Sequence, residues 1–383
     1  MAKQIASQAD TIPPEVTRPL LAAALRSERN SWTDLGHVDT AQLLQAAVDD
    51  GVLPLLYSKF RECHGSTSQP QLPSSVLTSE VKKAVALDAW QQYELILVLS
   101  ALAKRGIHPL LMKGAALAYS HYAEPYLRPR GDSDFLLPKE QIEPARLVLS
   151  TMGYREPNAI SGDLVTGQFS MIKGEALHCC DIHWKISNAL PFAALLSYRE
   201  AAQDAVTIPG LGPHALGLSP THALLLACVH RVAHHHNSER LIWLYDIHLL
   251  ANTMSAKGLR EFVELALAKD VGTVCERGLQ LAYSYFKTYL PQEVMHELHT
   301  KLAQRPQEPT SVDLNNSRRR IDRLLSDLRA LPAWSQKIRL LCEHAFPPRA
   351  YMLRRYQKGN TVYLPLLYVH RLVHALRKLS HPS

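Results

Sequence analysis

The sequence predicts a mixed α/β chain of the α+β kind, a small mixed sheet set between helical segments on either side. Three observations predict it. Stretches near the N-terminus repeat apolar residues at helical spacing, as in VTRPLLAAAL and TAQLLQAAVDDGVLPLLYSKF, and almost everything after Thr221 does the same. Short apolar runs in the middle, LLM, DFLLP and CDIHWKI, have the length or the alternation of strands. Polar stretches rich in Gly, Ser and Pro separate these parts.

Taken in order, residues 15–63 read as helices and residues 64–75 (HGSTSQPQLPSS) as a loop. A helical pattern resumes over 78–105 and leads into an apolar strand that ends at Lys113-Gly114, followed by small helix-favouring residues. A strand that passes into a helix in this way leaves free N–H groups able to receive a phosphate. Gly114 permits close approach, and Lys113 adds a point charge. Taken alone, the same residues also describe an ordinary strand–turn–helix with a surface lysine.

The segment 128–137, RPRGDSDFLL, carries two carboxylates two residues apart at the entrance to an apolar run. On a strand, Asp132 and Asp134 would point the same way, roughly 6–7 Å apart. Like charges so close are costly unless a cation sits between them or one carboxylate takes up a proton. Paired carboxylates with phosphate oxygens are the usual home of Mg²⁺. A third acid follows in 178–186, where Cys180, Ile182, Trp184 and Ile186 form one face of a strand and Asp181, His183 and Lys185 the other. The strand–helix region runs to about Ser197. Residues 209–220 are turn-rich and mark a boundary, and the helical pattern beyond is interrupted by the polar stretch 305–316. The expected organisation is a helical lobe over 1–90, a sheet-bearing core over 91–208 and a helical domain with a basic tail over 209–383.

A Lys-Gly turn, an Asp-x-Asp strand and a later strand with one Asp form a more specific set than any member alone. The chain resembles the nucleotidyltransferases of the DNA polymerase β superfamily, in particular their bacterial uncharacterised group. The resemblance is carried by LLMKGAALA, by Tyr126 with LRPRGDSDFLLP, by DIHWKI, and by the histidine-rich stretch ending in RLIWLYDIHLL. It implies that Asp132, Asp134 and Asp181 bind two Mg²⁺ ions, that an NTP is the co-substrate, and that Lys113, Gly114 and Arg128 meet the nucleotide. Arg130 would add charge near the phosphates. The superfamily's usual Gly-Ser turn is here Lys113-Gly114, so Lys113 inherits no established role. An unidentified hydroxyl-bearing acceptor, a small molecule or a polypeptide, would take the NMP group in a cleft between the acids and the C-terminal helices. Two other classes stand beside this expectation: a nucleotide-binding regulatory module without turnover, and an RNA-binding protein acting through the basic tail.

Composition narrows the rest. The chain has 383 residues, 46% hydrophobic and 20% charged, as ordinary globular proteins do. MAKQIASQADTIPPEVTRP has no apolar core of a signal peptide, and the longest apolar run, at 95–102, is too short for a membrane span. Six scattered cysteines with no C-x-x-C pair fit reduced, cytoplasmic usage. Residues 317–383 hold 14 Lys/Arg against 3 Asp/Glu, a basic region open to nucleic acid or a phosphorylated surface. Small-molecule or polypeptide acceptors lead because no recognised RNA-binding motif is present. Tyr363, Leu364, Leu366, Leu367, Val369, Leu372 and Leu376 read instead as the packing face of an amphipathic helix. His230 and His234 fall one helical turn apart, with Asp246 further on. Such a set can ligate a transition metal but more often packs between helices.

Overall fold

A computed structural model of the chain describes residues 12–28, 39–63, 74–157, 162–174, 178–314, 320–357 and 360–380. Most of the stretch expected as a loop (64–73), and Arg318 and Arg319 of the basic region, lie outside the described residues. The fold is mixed: six strands in one sheet, surrounded by helices. The strands are β1 (Leu110–Met112), β2 (Ser133–Leu136), β3 (Gln168–Lys173), β4 (His178–His183), β5 (Val206–Thr207) and β6 (Leu216–Gly217). Their order across the sheet is β3-β4-β2-β1-β6-β5. β1 runs antiparallel to β2 and parallel to β6, and β2 runs parallel to β4. The sheet takes its last strand from the turn-rich stretch 209–220.

Period-two alternation divides the core. Leu111, Phe135, Cys180 and Ile182 pack on Leu95, Val98, Leu99 and Leu102 of the helix Ser74–Ala103. Leu110, Met112 and Leu136 face the other way, into a core shared with the helices Pro220–Ala233 and Leu241–Thr253. The N-terminal helices join this second core through Leu21, Leu43 and Leu56. Asp50 fixes their docking: its Oδ1 accepts from the backbone N–H of Leu241 at 3.0 Å and from Arg18 Nε at 2.9 Å. Arg240, the residue before that helix, provides no side-chain cap of its own, so the cap comes from a distant helix.

The C-terminal helix Leu364–Ser380 departs from expectation. Leu367 is buried and Tyr368 donates to the Pro347 carbonyl at 2.8 Å, but Leu366 is 73% exposed and Val369 59%. Apolar residues wrap around more of this helix than one neighbour can cover, so Leu366 and Val369 form a second, exposed stripe. Leu376 lies where side chains are not described. Among the described residues no helix is long and apolar enough to cross a membrane.

Beneath the sheet edge lies a buried polar chain. Lys173 Nζ donates to both oxygens of Glu94 at 3.0 and 2.9 Å, Tyr154 donates to Glu94 at 3.2 Å, and the Tyr154 hydroxyl sits 2.6 Å from His178 Nδ1. Burial lowers the His178 imidazole to about 4, from 6.5, against the pull of Glu94. The folded protein therefore keeps His178 neutral at pH values where the unfolded chain protonates it. This contribution to stability is complete above pH 6.5 and is lost as pH falls through about 4. Thermal denaturation followed by circular dichroism should show Tm falling across that window. In His178→Gln the fall should be shallower, and an unchanged pH profile would dismiss this origin.

Candidate active site

The sheet register assembles the site. Met112 pairs with Asp134 across β1 and β2, and Asp134 pairs with Asp181 across β2 and β4. Alternation then places Asp134, Asp181 and His183 on the face that looks toward the helix Pro220–Ala233. Asp134 is 4% exposed, and Asp181 8%. Lys113 Nζ donates to Asp134 Oδ1 at 2.6 Å, and His183 Nε2 lies 2.8 Å from the same oxygen. Burial alone would raise the Asp134 carboxyl. Lys113 and His183 outweigh it and hold the group well below the usual carboxylate range. Asp181 accepts from Gln168 Nε2 at 3.2 Å.

Asp132 lies one residue ahead of β2 and is exposed at the mouth of the site. Partial desolvation of its carboxyl by the protein beside it, then the charges of Asp134 and Asp181, push it up to about 6. Among the described residues, a single group brings three potential ligand atoms together: an oxygen each from Asp134 and Asp181 and a ring nitrogen of His183, all within 4.8 Å of one another. These residues fit a divalent cation, since the Lys113 ammonium already stands against Asp134 as a positive charge. Asp132 stands outside this group. His183 was not singled out from the sequence, although its place two residues beyond Asp181 on one strand face was the available signal.

Lys113 opens the helix Lys113–Ser120 with a φ of +54°, a left-handed conformation that costs a non-glycine residue roughly 1–3 kcal/mol. That conformation sits at the point where Lys113 turns its ammonium to Asp134. Gly114 lies against the Arg128 guanidinium: a Cβ there would stand 3.4 Å from it, in van der Waals contact.

Arg128 is buried and committed. Its Nε and Nη2 donate to the two oxygens of Asp246 at 2.8 and 2.7 Å, its Nη1 donates to the Pro129 carbonyl at 2.8 Å, and Tyr122 donates to the same Asp246 at 2.7 Å. Asp246 is thus the partner of an arginine rather than a third ligand for the histidines. Arg130 is committed as well. It is turned away to Asp88 (2.6 Å) and the Tyr119 hydroxyl (2.6 Å) and lies over the Tyr119 ring. The nearby acid on the long helix outcompetes a solvent-facing position for this side chain.

His230, His234 and His235 gather beside Lys113. His230 and His235 have ring nitrogens 3.2 Å apart, and His235 stacks on Trp243 at 3.9 Å. Burial first, then the Lys113 charge, lowers His230 well below its ordinary value and His234 to about 4, so both rings are neutral at pH 7. Next to His234 opens a cleft of about 270 Å³, lined also by Asn188, Arg323, Ser326 and Asp327.

Removing one partner of the Arg128–Asp246 pair strands a buried charge. Arg128→Ala should cost about 3–5 kcal/mol of stability, read by urea denaturation. The double variant Arg128→Met/Asp246→Leu should lose less than the single one. A larger loss in the double variant would show that the pair is not what holds these elements together.

No curated protein matches the chain. A family model described as an uncharacterised nucleotidyltransferase matches residues 36–287, well over half of the 383. That span contains the Lys113 turn, all three acids, His183 and the Arg128–Asp246 pair, and on it the chain belongs to this nucleotidyltransferase family.

Proposed function

We propose that this protein transfers an NMP group from an NTP to the hydroxyl of an acceptor, with the carboxylates of Asp132, Asp134 and Asp181 holding divalent cations. The resemblance to the polymerase β superfamily implies two ions and Mg²⁺. The observation that carries the reading is the convergence of Asp134, Asp181 and Lys113 on one buried sheet face inside the family's matched span. When bound, such cations would activate the attacking hydroxyl and neutralise the leaving pyrophosphate.

The chain's own residues then have separable tasks. Lys113 stands at the strand-to-helix turn, close enough to Asp134 to exchange that carboxylate for a phosphate oxygen as an NTP enters. Arg128, its charge balanced by Asp246 behind Gly114, borders the nucleotide's place as a fixed guanidinium edge instead of a free positive charge. His230 and His234, kept neutral, offer ring nitrogens without adding charge. Asp132 at the mouth faces the acceptor's route. The cleft beside His234 is the acceptor's place in this reading. Its amide, hydroxyl and carboxylate groups suit a polar, hydroxyl-bearing small molecule or peptide segment.

The direct test incubates the protein with Mg²⁺ and each labelled NTP, and follows pyrophosphate release and nucleotidylated products by mass spectrometry. Asp181→Asn is nearly isosteric and should lose more than the ~10–100-fold expected of an outer-shell change. Its circular dichroism should stay unchanged. Full turnover in that variant, or in excess EDTA, would reject the assignment. Lys113→Ala should weaken triphosphate binding by about 1.5–3 kcal/mol, measured calorimetrically.

Asp132→Asn separates stability from turnover. Its charge is disfavoured in the folded state, so the neutral amide should hold or raise Tm in metal-free buffer while turnover is lost. A lower Tm together with retained turnover would contradict both halves.

A further inference from the structure

We propose that His183 is itself a metal ligand, so that Asp134, Asp181 and His183 form a mixed nitrogen–oxygen centre that selects Mn²⁺ over Mg²⁺. This inference rests on the metal-dependent reading above, and it names the ion and the residue that chooses it.

The His183 ring is fully buried, and its Nε2 points at the carboxylates. A hydrogen bond to Asp134 is not all that this position can supply. Lys113 already supplies a donor and a full positive charge to the same oxygen, 2.6 Å away. Nδ1 is buried without a hydrogen-bond partner, so Nε2 is the ring atom that makes the directed contact, and that contact is with the acids. What the position does accomplish is to bring a third ligand atom within 4.8 Å of both carboxylates. One cation with bonds of roughly 2.0–2.3 Å spans that spacing after small side-chain shifts. Lys113 would then leave Asp134 for the triphosphate.

Ligand chemistry decides the ion. Mg²⁺ binds oxygen, gives up its water reluctantly and takes imidazole poorly. Carboxylates suit Mg²⁺ and Mn²⁺ alike, whereas an imidazole nitrogen is taken more readily by first-row transition ions, Mn²⁺ being the weakest of them, than by Mg²⁺. A buried site that offers two carboxylates and one nitrogen rewards an ion that dehydrates readily, and Mn²⁺ satisfies all three ligands.

The test uses the full chain and measures metal binding without nucleotide. Mn²⁺ is titrated by electron paramagnetic resonance and displaced by Mg²⁺. Pulsed measurements on the bound Mn²⁺ then look for hyperfine coupling to an imidazole nitrogen. The expected result is a preference for Mn²⁺ of at least about tenfold, with one imidazole coupling whose pattern changes when histidine carries heavy nitrogen. His183→Gln, which keeps a donor on Asp134, should erase the coupling and the preference together. His230→Gln/His234→Gln should keep both. The heavy-nitrogen readout needs no variant, so it stands even where His183→Gln folds poorly.

Bound Mn²⁺ with oxygen couplings alone, a coupling that survives His183→Gln, equal affinity for the two ions, or no Mn²⁺ binding at all would each overturn the inference. Mn²⁺ held by an imidazole, together with no pyrophosphate from any NTP, would leave the centre standing and remove the nucleotidyl-transfer reading.

Discussion

Two carboxylates side by side on a buried sheet face repel one another, and the rest of the site is arranged around that repulsion. Asp134 and Asp181 are register partners on adjacent parallel strands, so neither can move away without breaking the sheet. Positive charge has to come to them. It comes from Lys113, which a left-handed turn aims at Asp134, and hydrogen bonding comes from His183 on the next strand. Asp132, with less compensation, holds its proton more tightly. A bound divalent cation would satisfy the same unbalanced charge. Affinity for ligands is therefore stored in the protein as electrostatic tension.

A second charge pair fixes the frame. Arg128 belongs to the segment that delivers β2, and Asp246 belongs to a helix of the C-terminal core. Their bidentate contact, completed by Tyr122, ties the acid-bearing strand to the helices that close the site. Buried ion pairs of this kind contribute little net stability, because desolvation offsets the attraction, but they punish misplacement severely. The Asp50 cap on Leu241 does the same for the N-terminal helices.

Much of this was legible in the chain. The LLM-to-Lys113 junction, the run DFLL and the alternation around Asp181 obey local rules, and the structure has a strand and a helix, a strand, and a strand there. What local rules cannot convey is partnership across the fold. Arg128 reads as a free cation beside Asp132 until Asp246, 118 residues away, takes both of its forks. Arg130 reads the same way until Asp88 claims it. His183 reads as the solvated side of a strand because nothing nearby in sequence says that a helix will cover it. The uncovered stripe on the last described helix was hidden for the opposite reason, since an amphipathic pattern states that a face is apolar and not what meets it.

The parallel pairing of β2 with β4 also sets when the site can exist. β1 and β2 meet across a short helix and loop, whereas a helix and β3 lie between β2 and β4 in the chain. Long-range parallel pairing is among the slowest contacts a chain makes. Asp134 and Asp181 thus spend the early part of folding apart in water, where their repulsion is screened. The β2–β4 pairing is what brings them together. Their repulsion is thus a cost carried by the folded sheet and absent from the extended chain, and the β2–β4 ladder is what holds them against it.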